Sequence, residues 1–526
     1  MDTKRLSISS AGAIAALILP VLCVAQQPAP QLLSPRAASR ILDQGTWGPV
    51  PGAVPIVQAQ GFERWFTEQV LAPQSTYPDQ PFLDANGKTN TNLSPVQVLF
   101  FQHAVGGPDQ LRQRVAFALS EIWVVSNLEV NNASAFPPLL RIFQSGAFNN
   151  YENLMRDVTL NPAMGRYLNM ANNDKGNPAK GTAPNENYAR ETMQLFTLGL
   201  SQLHSDGTPV LDSRGNPRPT YTQADVTGLA KAFTGWTYPS VAGTATKGHN
   251  PTYYLGSMVP IESYHDVTQK QILGVNLPPG QSAEQDLKEA LHIIFMHPNL
   301  PPFISQQLIQ HLVTSNPSPA YVERVAEVFE NNGFGVRGDL KAVVHAILGD
   351  PEARAGDVAG APDPENFGHM REPILFIANL LRALSAGVTS TGPANAAANL
   401  GQRLFYPPSV FSYFSPQYKT SGGLLGPEFQ IYSTQTAATR ADSVNSAIYG
   451  GQFDAGTKFN ISSFVSAGSK SATLIELINQ VFFHEDMSGS LRNEIERSLA
   501  PLTAPADKAR AALYVALTSG EYQIVH

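Results

Sequence analysis

Apolar residues recur at the spacing of a helix face in segment after segment of this 526-residue chain. Within each segment they stand three or four positions apart, which places them on one side of an α-helix. Such a stripe must be buried against another element, because it would otherwise face water. We therefore predict a mainly α, multi-helical, bundle-like globular fold with long loops. The stripes are Leu111, Val115, Ala118, Leu119 and Ile122; Val226, Leu229, Ala230 and Phe233; Leu287, Ala290, Leu291, Ile294 and Phe295; Val322, Val325, Ala326 and Phe329; Leu340, Val343, Val344 and Ile347; and Ile374, Leu375, Ala378 and Leu381.

Two of these helices have recognisable starts. Thr222 precedes Asp225 by three positions, and Ser282 precedes Gln285 by the same spacing. At such a start the hydroxyl accepts a hydrogen bond from a free backbone N–H, and the third residue can return a bond to the cap. We predict N-caps at Thr222 and Ser282.

Strand patterns are short, and long loops separate several of the helices. Pairs at 210–211 and 220–221 flank turn-forming residues and predict at most one small β-hairpin. Loops rich in glycine and proline lie at 236–281, 349–366 and 407–429, and loops of this length are often functional or mobile. The 349–366 segment is the candidate boundary between two lobes, and a surface insertion explains it equally well.

The N-terminus has the pattern of a secretory signal peptide. A lysine–arginine pair and then an apolar run precede the small residue Ala25, which offers a cleavage site. We predict a signal peptide at 1–25, a short linker at 26–33 and a folded domain at 34–526. The mature protein is then expected to be secreted or periplasmic. No later apolar run reaches the roughly 20 residues that a membrane-spanning helix needs.

Cysteine content and net charge limit the kinds of site and ligand that the mature protein can have. The only cysteine, Cys23, lies inside the predicted signal peptide, so the mature protein would have no disulfide, thiolate metal site or cysteine nucleophile. The formal net charge of −7 gives no support for binding to nucleic acids or anionic membranes, which require basic patches. With 43% hydrophobic and 15% charged residues, the composition is that of a folded chain.

The segment 185–199, here called the signature segment, gathers polar side chains at a predicted helix start and ends at a glycine. Projected at about 100° per residue, it has a polar and an apolar stripe. The polar stripe is Asn187, Arg190, Glu191 and Gln194, and the apolar stripe is Ala189, Met193, Phe196 and Leu200. Glu186 and Arg190 stand four apart with the acid first, so we predict an ion pair. An ordinary surface helix would explain this stripe, whereas in a cleft a carboxylate beside Arg190 could bind a substrate or act as a base.

Further candidates lie outside this segment. His265 beside Asp266 could be a general base, a metal ligand or a loop anchor. Trp236 is interpreted as a core residue or as a platform for sugar or peptide, and Arg112 and Arg114 as buried ion-pair partners of the acidic signature. The candidate catalytic residues are Glu186, Arg190, Glu191, His265 and Asp266, and the candidate substrate-binding residues are Asn187, Tyr188 and Trp236.

The sequence does not decide whether the protein binds a divalent metal, and it predicts no nucleotide cofactor. Asparagine and aspartate crowd residues 169–174, where turn formation competes with a calcium site that would also use Glu186. Residues 333–338 fit the dinucleotide glycine pattern but follow a predicted helix rather than a strand, so we interpret them as a turn between helices. The zinc-peptidase, nucleophile-elbow and P-loop motifs are absent.

Several segments together resemble one family. The signature segment, residues 221–226, residues 234–236 and the His-Asp pair at 265–266 are similar to motifs of the bacterial domain of unknown function 1800 family. The resemblance covers most of the mature chain. The family has no established chemistry to carry over. The resemblance does imply a partner, because members are often encoded beside sulfatase-like proteins.

Two functions fit these observations. The first is an extracytoplasmic binding or assembly protein that acts with the sulfatase-like partner. The second is a secreted hydrolase, with or without a divalent metal, whose cleft combines glutamate, arginine and histidine side chains. The two differ in geometry, since a hydrolase of this kind needs Glu191 and His265 in one pocket. Whether the protein is an enzyme stays open at this point.

Overall fold

Helices dominate the fold, which confirms the mainly α prediction. A computed structural model describes residues 32–358 and 364–526 of the protein. Within these residues the α-helices are α1 (Pro35–Gly45), α2 (Ala53–Gln60), α3 (Phe62–Leu71), α4 (Ser94–Gly106), α5 (Gln110–Ile122), α6 (Asn127–Val130), α7 (Phe136–Gly146), α8 (Tyr151–Thr159), α9 (Pro162–Tyr167), α10 (Asn187–Glu191), α11 (Gln223–Ala232), α12 (Ala283–Met296), α13 (Leu300–Leu312), α14 (Pro319–Glu330), α15 (Leu340–Gly349), α16 (Pro373–Ala383), α17 (Gly392–Asn399), α18 (Thr434–Ile448), α19 (Ser462–Ala467), α20 (Ser471–Phe482), α21 (Gly489–Leu499) and α22 (Pro505–Thr518).

Shorter helical turns join several of these helices. One is a π-helix at Thr192–Thr197. The 3-10 turns in the described part of the chain are Ala133–Ala135, Pro178–Lys180, Glu262–Tyr264, Ala355–Asp357, Pro427–Ile431 and Glu521–Gln523. They tighten the connections where the chain turns from one helix to the next.

The β structure is confined to short strands in four small antiparallel sheets within the described residues. The sheets pair β1 with β2, β3 with β4, β5 with β9, and β8 with both β6 and β7. The strands are β1 (Trp236–Thr237), β2 (Val259–Pro260), β3 (Lys270–Ile272), β4 (Val275–Leu277), β5 (His369–Met370), β6 (Gly387–Val388), β7 (Gln452–Asp454), β8 (Thr457–Lys458) and β9 (Ile524–Val525). At the predicted hairpin the chain makes isolated bridges, among them Leu211 to Pro217, around a turn held by Asp212.

The apolar stripes form the core. Every residue of the six predicted stripes is buried, and all of them except Ala326 belong to one large core. Two helices are covered almost on all sides. Helix α5 packs against α1, α3, α4, α7 and α13, and all residues of α16 are buried. Because α5 also carries Arg114 and Glu121, its burial brings charged side chains into the interior.

The predicted helix starts and the predicted turn between helices are confirmed. Thr222 accepts a hydrogen bond from the backbone N–H of Asp225, whose carboxylate accepts one in return, and Ser282 forms the same reciprocal pair with Gln285. The glycine-rich residues 333–338 connect α14 to α15. They therefore lack the strand-to-helix setting that a dinucleotide site requires.

Only part of the predicted domain organisation falls within the described residues. Residues 32–526 form one compact unit. The predicted signal peptide, its cleavage site near Ala25, most of the linker and part of the 349–366 boundary lie outside the described residues. Among the helices that are described, none combines the length and the apolar character needed to cross a membrane.

Candidate functional site

The signature segment begins as helix α10 and then widens into a π-helix. In the wide turn the N–H of Leu198 donates to the carbonyl of Met193, five residues earlier, at 2.9 Å. The Thr197 hydroxyl likewise donates to the Thr192 carbonyl at 2.6 Å. Single π-turns are rare among helices in general, but those that do occur are often found at functional sites. The spacing of apolar residues predicted an ordinary α-helix here. That spacing does not reveal that one helical turn contains an extra residue.

Gly199 ends the signature segment, as predicted. Its φ of +75° lies in the left-handed region that favours glycine. The wide turn and this stop move Leu200 away from the apolar stripe. The prediction that Leu200 shares the buried face is therefore wrong: this residue is 61% exposed, whereas Met193 and Phe196 are buried.

The predicted ion pair of the signature segment is confirmed. The Arg190 guanidinium lies 3.0 Å from a Glu186 carboxylate oxygen. Helix α11 completes the arrangement, because Gln223 Nε2 and Thr227 Oγ1 each donate to Glu186 at 2.8 Å. Partial burial raises the pKa of Glu186, but the hydrogen bonds from Thr227 and Gln223 outweigh it and the pKa lies below its ordinary value. Glu186 thus stays ionised and ties the signature segment to α11.

Glu191 is in a different state from Glu186. It is half-buried, and its Oε2 atom is enclosed without a hydrogen-bond partner. Burial raises the pKa of Glu191, and the nearby charge of Arg190 only partly opposes this effect. A carboxylate that is enclosed, unpaired and easier to protonate is typical of a binding or acid–base position.

An open cavity of about 400 Å³, here called the signature groove, lies beside the signature segment. Asn187 forms part of its wall, and the Asn187 side chain donates to Asn169 Oδ1 at 3.2 Å. Arg166 and Tyr167 line the same side, and the loop at 407–410 faces them. One of the three predicted substrate-binding residues therefore lies in a cavity.

Charged groups converge at the signature groove. Glu129 is a further wall residue, and its side chain is exposed to solvent. Burial raises the pKa of Tyr167 to about 12, and the negative charges of Glu129 and Glu191 add to this rise. The charges of both carboxylates thus act on the Tyr167 hydroxyl. With Arg166 in the same wall, the groove offers hydrogen-bonding groups of both charges.

The structure places His265 and Asp266 in the interior. The His265 side chain is fully buried, with Nε2 2.8 Å from Asp286 Oδ2 and Nδ1 2.9 Å from the Thr234 carbonyl. Lys270 Nζ lies 2.5 Å from the same Asp286 oxygen. Asp266 accepts hydrogen bonds from the residues of its own turn. This arrangement anchors the 236–281 loop to α12.

The predicted catalytic residues are thus brought together only in part. Glu186 and Arg190 are paired, and Glu191 lies near the signature groove. His265 is held by Asp286 in the core, and no hydrogen bond or ion pair joins it to Glu191. The combined cleft of glutamate, arginine and histidine is not assembled in this structure.

The two aromatic candidates are core residues. Trp236 is 2% exposed and lies in strand β1, so it offers no open face for stacking. Tyr188 is equally buried, and its hydroxyl is 2.6 Å from Thr159 Oγ1. Both side chains therefore contribute to the hydrophobic core.

The oxygen-rich residues 169–174 act as turn residues. Asn169 and Asn172 adopt left-handed backbone conformations with φ near +60°. The Asn172 side chain accepts from Thr237 Oγ1 at 2.6 Å, and the Asn173 side chain accepts from a backbone N–H at 2.7 Å. Between residues 32 and 358 and between 364 and 526, no three His, Cys, Asp or Glu side chains are arranged to hold a metal ion.

Sequence reasoning missed a second group of charges, here called the interior acid cluster. It consists of Glu121, Glu372 and Glu428 near the guanidinium of Arg114, and none of the four residues is more than 8% exposed. Arg114 donates to the backbone carbonyl of His311, while its Nε and Nη1 atoms have no hydrogen-bond partner. Burial lowers the pKa of Arg114, and the charges of Glu372, Glu121 and Glu428 counteract this.

The two arginines of α5 differ from the prediction. Arg114 is buried as expected, but the carboxylates that act on it are those of the interior acid cluster and Asp43, and none belongs to the signature segment. Arg112 donates to the backbone carbonyls of Val70 and Gln144 instead of forming the expected ion pair. The one available sequence signal for the cluster was the presence of Arg114 and Glu121 within a strongly apolar helix.

Burial makes the interior carboxylates hold protons more tightly. It raises the pKa of Glu372 to about 7, against the lowering effect of Arg114. Burial also raises the pKa of Glu121 well above its ordinary range, and the charge of Glu372 adds to the rise. Gln402 donates a hydrogen bond to Glu372. For Glu372, burial outweighs the charges of both Arg114 and Arg440.

Fold and site together define the class of this protein. It is a large, mainly helical protein with a polar signature segment beside an open groove and a set of ionisable groups in its core. The family model described as "Protein of unknown function (DUF1800)" matches residues 40–524. The chain therefore belongs to this family, as its motifs indicated. None of the curated proteins or solved structures compared with the chain matches it.

Proposed function

We propose that the protein is an extracytoplasmic binding or assembly protein, secreted or periplasmic, that takes its ligand in the signature groove. The observation that supports this is the position of Asn187, a residue of the family signature, in the wall of an open cavity of about 400 Å³. Ligand sites commonly have volumes of about 300 to 1,000 Å³ and combine a preformed cavity with a few convergent polar groups.

The chemistry of the wall favours an extended polypeptide as the ligand. Each peptide unit presents one N–H donor and one carbonyl acceptor. Asn169 and Asn187 can serve both, since a primary amide donates and accepts. Arg166 can bind a carboxylate of the ligand, and Glu129 can bind a cationic side chain. The half-buried ring of Tyr167 offers apolar area between these polar groups.

The partner that we propose is the sulfatase-like protein implied by the family resemblance. A segment of that protein would lie in the signature groove between Tyr167 and the 407–410 loop. The net charge of −7 argues against nucleic acids as competing ligands. A binding role also accounts for a signature whose Glu186 and Arg190 are already satisfied by each other and by α11.

The alternative proposal, a hydrolase with a glutamate, arginine and histidine cleft, has weaker support. It requires His265 near Glu191, and His265 is fully buried against Asp286. A version that uses a divalent metal would have to place the ion at Glu191, whose enclosed oxygen has no partner. Elemental mass spectrometry of the mature wild type and of Glu191→Ala tests that version directly.

The binding proposal is tested with the mature chain from Gln26 and a sulfatase-like protein of the kind that the family resemblance implies. Affinity is measured by isothermal titration calorimetry for the wild type, Arg166→Glu and Asn187→Ala. We expect each variant to weaken binding at least about tenfold, or about 1.4 kcal/mol. The matched control is Arg64→Glu, because Arg64 is an exposed arginine that does not line the groove.

Two outcomes would contradict the proposal. If the wild type does not bind the sulfatase-like protein, the partner is wrong. If the wild type binds and the groove variants bind as tightly as Arg64→Glu, the interface lies elsewhere.

A further inference from the structure

A second cavity lies at the interior acid cluster, apart from the signature groove. Its volume is about 30 Å³, whereas one water molecule needs roughly 10 to 15 Å³ of such space, so there is room for about two to three non-hydrogen atoms. The wall includes Glu121, Glu428, Gln307, His311 and Ser412. Nothing in the proposed binding function uses this cavity.

Three polar atoms in this wall have no hydrogen-bond partner. They are Glu428 Oε2, Gln310 Oε1 and Gln307 Nε2, and each belongs to a residue that is more than nine-tenths buried. Leaving a buried polar atom unpaired destabilises the folded protein. Three such atoms around one small space indicate that the space is shaped for a polar group that enters it.

Ser412 presents its hydroxyl to this space in a strained conformation. Its φ of +63° lies in the left-handed region, which non-glycine residues adopt rarely and mostly where the surrounding structure enforces it. The turn is closed by a hydrogen bond from the Ser412 N–H to the Ser409 carbonyl. A nucleophilic serine on a tight, strained turn is a recurring arrangement in hydrolases.

The Ser412 hydroxyl is directly bonded to a buried carboxylate. Ser412 Oγ donates to Glu121 Oε2 at 2.6 Å. Burial raises the pKa of Glu121, and the charge of Glu372 raises it further. A carboxylate with a raised pKa accepts a proton more readily than an exposed one, which is the direction that favours a general base.

The same wall supplies a donor for a developing negative charge. Gln307 Nε2 is enclosed and unpaired, and a buried amide N–H of this kind stabilises an oxyanion. His311 stays neutral there, because burial lowers its pKa to about 3 and the charge of Arg114 lowers it further. Nucleophile, base and oxyanion donor thus line one cavity.

We propose that Ser412, Glu121 and Gln307 form an acyl-hydrolase site for esters with a short acyl group. The volume of about 30 Å³ restricts the acyl group to about the size of acetyl. The side chain of Phe411, which is 44% exposed, lies in the wall and would face the alcohol part of the ester.

The reaction uses only the ester and water. Ser412 Oγ bonds to the acyl carbon while its proton passes to Glu121, and the carbonyl oxygen becomes an oxyanion bound by Gln307. The bond to the alcohol oxygen then breaks, and the alcohol leaves with the proton from Glu121. Water next attacks the acyl-serine and gives a proton to Glu121. The acyl–Oγ bond breaks, Oγ regains that proton, and the carboxylic acid departs.

Labelling with methanesulfonyl fluoride, a small serine-reactive reagent, tests the site in the folded mature chain. Intact-mass analysis and peptide mapping follow the adduct in the wild type, Ser412→Gly, Glu121→Gln and the control Ser463→Ala. Glycine at 412 removes the hydroxyl and suits the positive φ. Ser463 is an exposed serine of α19 that lines neither cavity.

We expect one adduct, on the peptide that contains Ser412, in the wild type and in Ser463→Ala. It should be absent from Ser412→Gly and should form at least about tenfold more slowly in Glu121→Gln, since general base assistance is worth about 100-fold or more. Circular dichroism confirms that each variant is folded. Absence of an adduct on Ser412 in the wild type, or an unchanged rate in folded Glu121→Gln, overturns the proposal.

Discussion

The signature segment and the interior acid cluster both gather charged side chains, but they satisfy those charges by different means. In the signature segment, Glu186 has Arg190 four residues away and two donors from α11, and solvent reaches the pair. In the interior, three carboxylates share the surroundings of Arg114, and two nitrogens of that guanidinium have no partner. The surface charges are satisfied locally, whereas the interior charges depend on groups from distant parts of the chain.

This difference separates the energetic roles of the two regions. An exposed ion pair contributes about 0 to 1 kcal/mol, because water screens it and two flexible side chains lose freedom. Removing one partner of a buried group of charges costs about 3 to 5 kcal/mol, since an uncompensated charge stays in the core. The interior acid cluster is therefore expected to control stability, and the signature segment to control what the surface binds.

The largest effect is expected from Arg114→Met. This change leaves the carboxylates of Glu121, Glu372 and Glu428 without their shared cation, so the free energy of unfolding at pH 8 should fall by about 3 to 5 kcal/mol. Denaturant unfolding measures it. The matched control is Arg112→Met on the same helix, which removes two hydrogen bonds to backbone carbonyls and the contact of the guanidinium with the Phe148 ring. An equal fall in the free energy of unfolding of the two variants would show that Arg114 does not stabilise the interior carboxylates.

A smaller effect is expected in the pH dependence of the wild type. The pKa of Glu372 is about 7 in the folded protein against an ordinary 4.5, so the folded state binds the proton more tightly. The stability from this group is complete below about pH 4.5 and is lost as the pH rises through 7, by about 3 kcal/mol. Denaturant unfolding at intervals from pH 5 to 8 should show this decline, and Glu372→Gln should flatten it. An equally steep decline in the variant would refute the assignment.

The smallest effect is expected from Glu186→Gln in the signature segment. The carboxylate is partly exposed, and glutamine keeps one of the two oxygens that accept from Gln223 and Thr227. We expect less than about 1 kcal/mol of destabilisation at pH 7. The same unfolding assay measures this at low and high salt. A loss as large as that of Arg114→Met would abolish the distinction between the two regions.

Sequence spacing predicted the features that depend on neighbours along the chain. The six apolar stripes, the caps at Thr222 and Ser282 and the pairing of Glu186 with Arg190 all follow from contacts three or four residues apart. The π-helix was not predicted, because the types of residue in the segment do not show that a helical turn contains one extra residue. Its consequence was the error at Leu200, which lies in solvent rather than on the buried stripe.

The interior acid cluster could not be predicted in the same way. Glu121, Glu372 and Glu428 come from α5, from the start of α16 and from a 3-10 turn, and each appears alone in the sequence. Ser412 likewise gave no signal, since it lies in a loop without a recognised motif. His265 shows the converse case: its motif was visible, but its burial against Asp286 and Lys270 depends on how the loop packs on α12.

The sequence by itself determined the helical class of this protein, the register of its buried stripes, its family and the local ion pair of the signature segment. Each of these rests on the geometry of one helical turn, which any short segment contains. Only the tertiary structure decided that Asn187 borders a groove, that His265 lies in the core and that Glu121 meets Ser412. These outcomes depend on which elements cover a side chain and exclude water from it, and that coverage comes from residues far away in the chain.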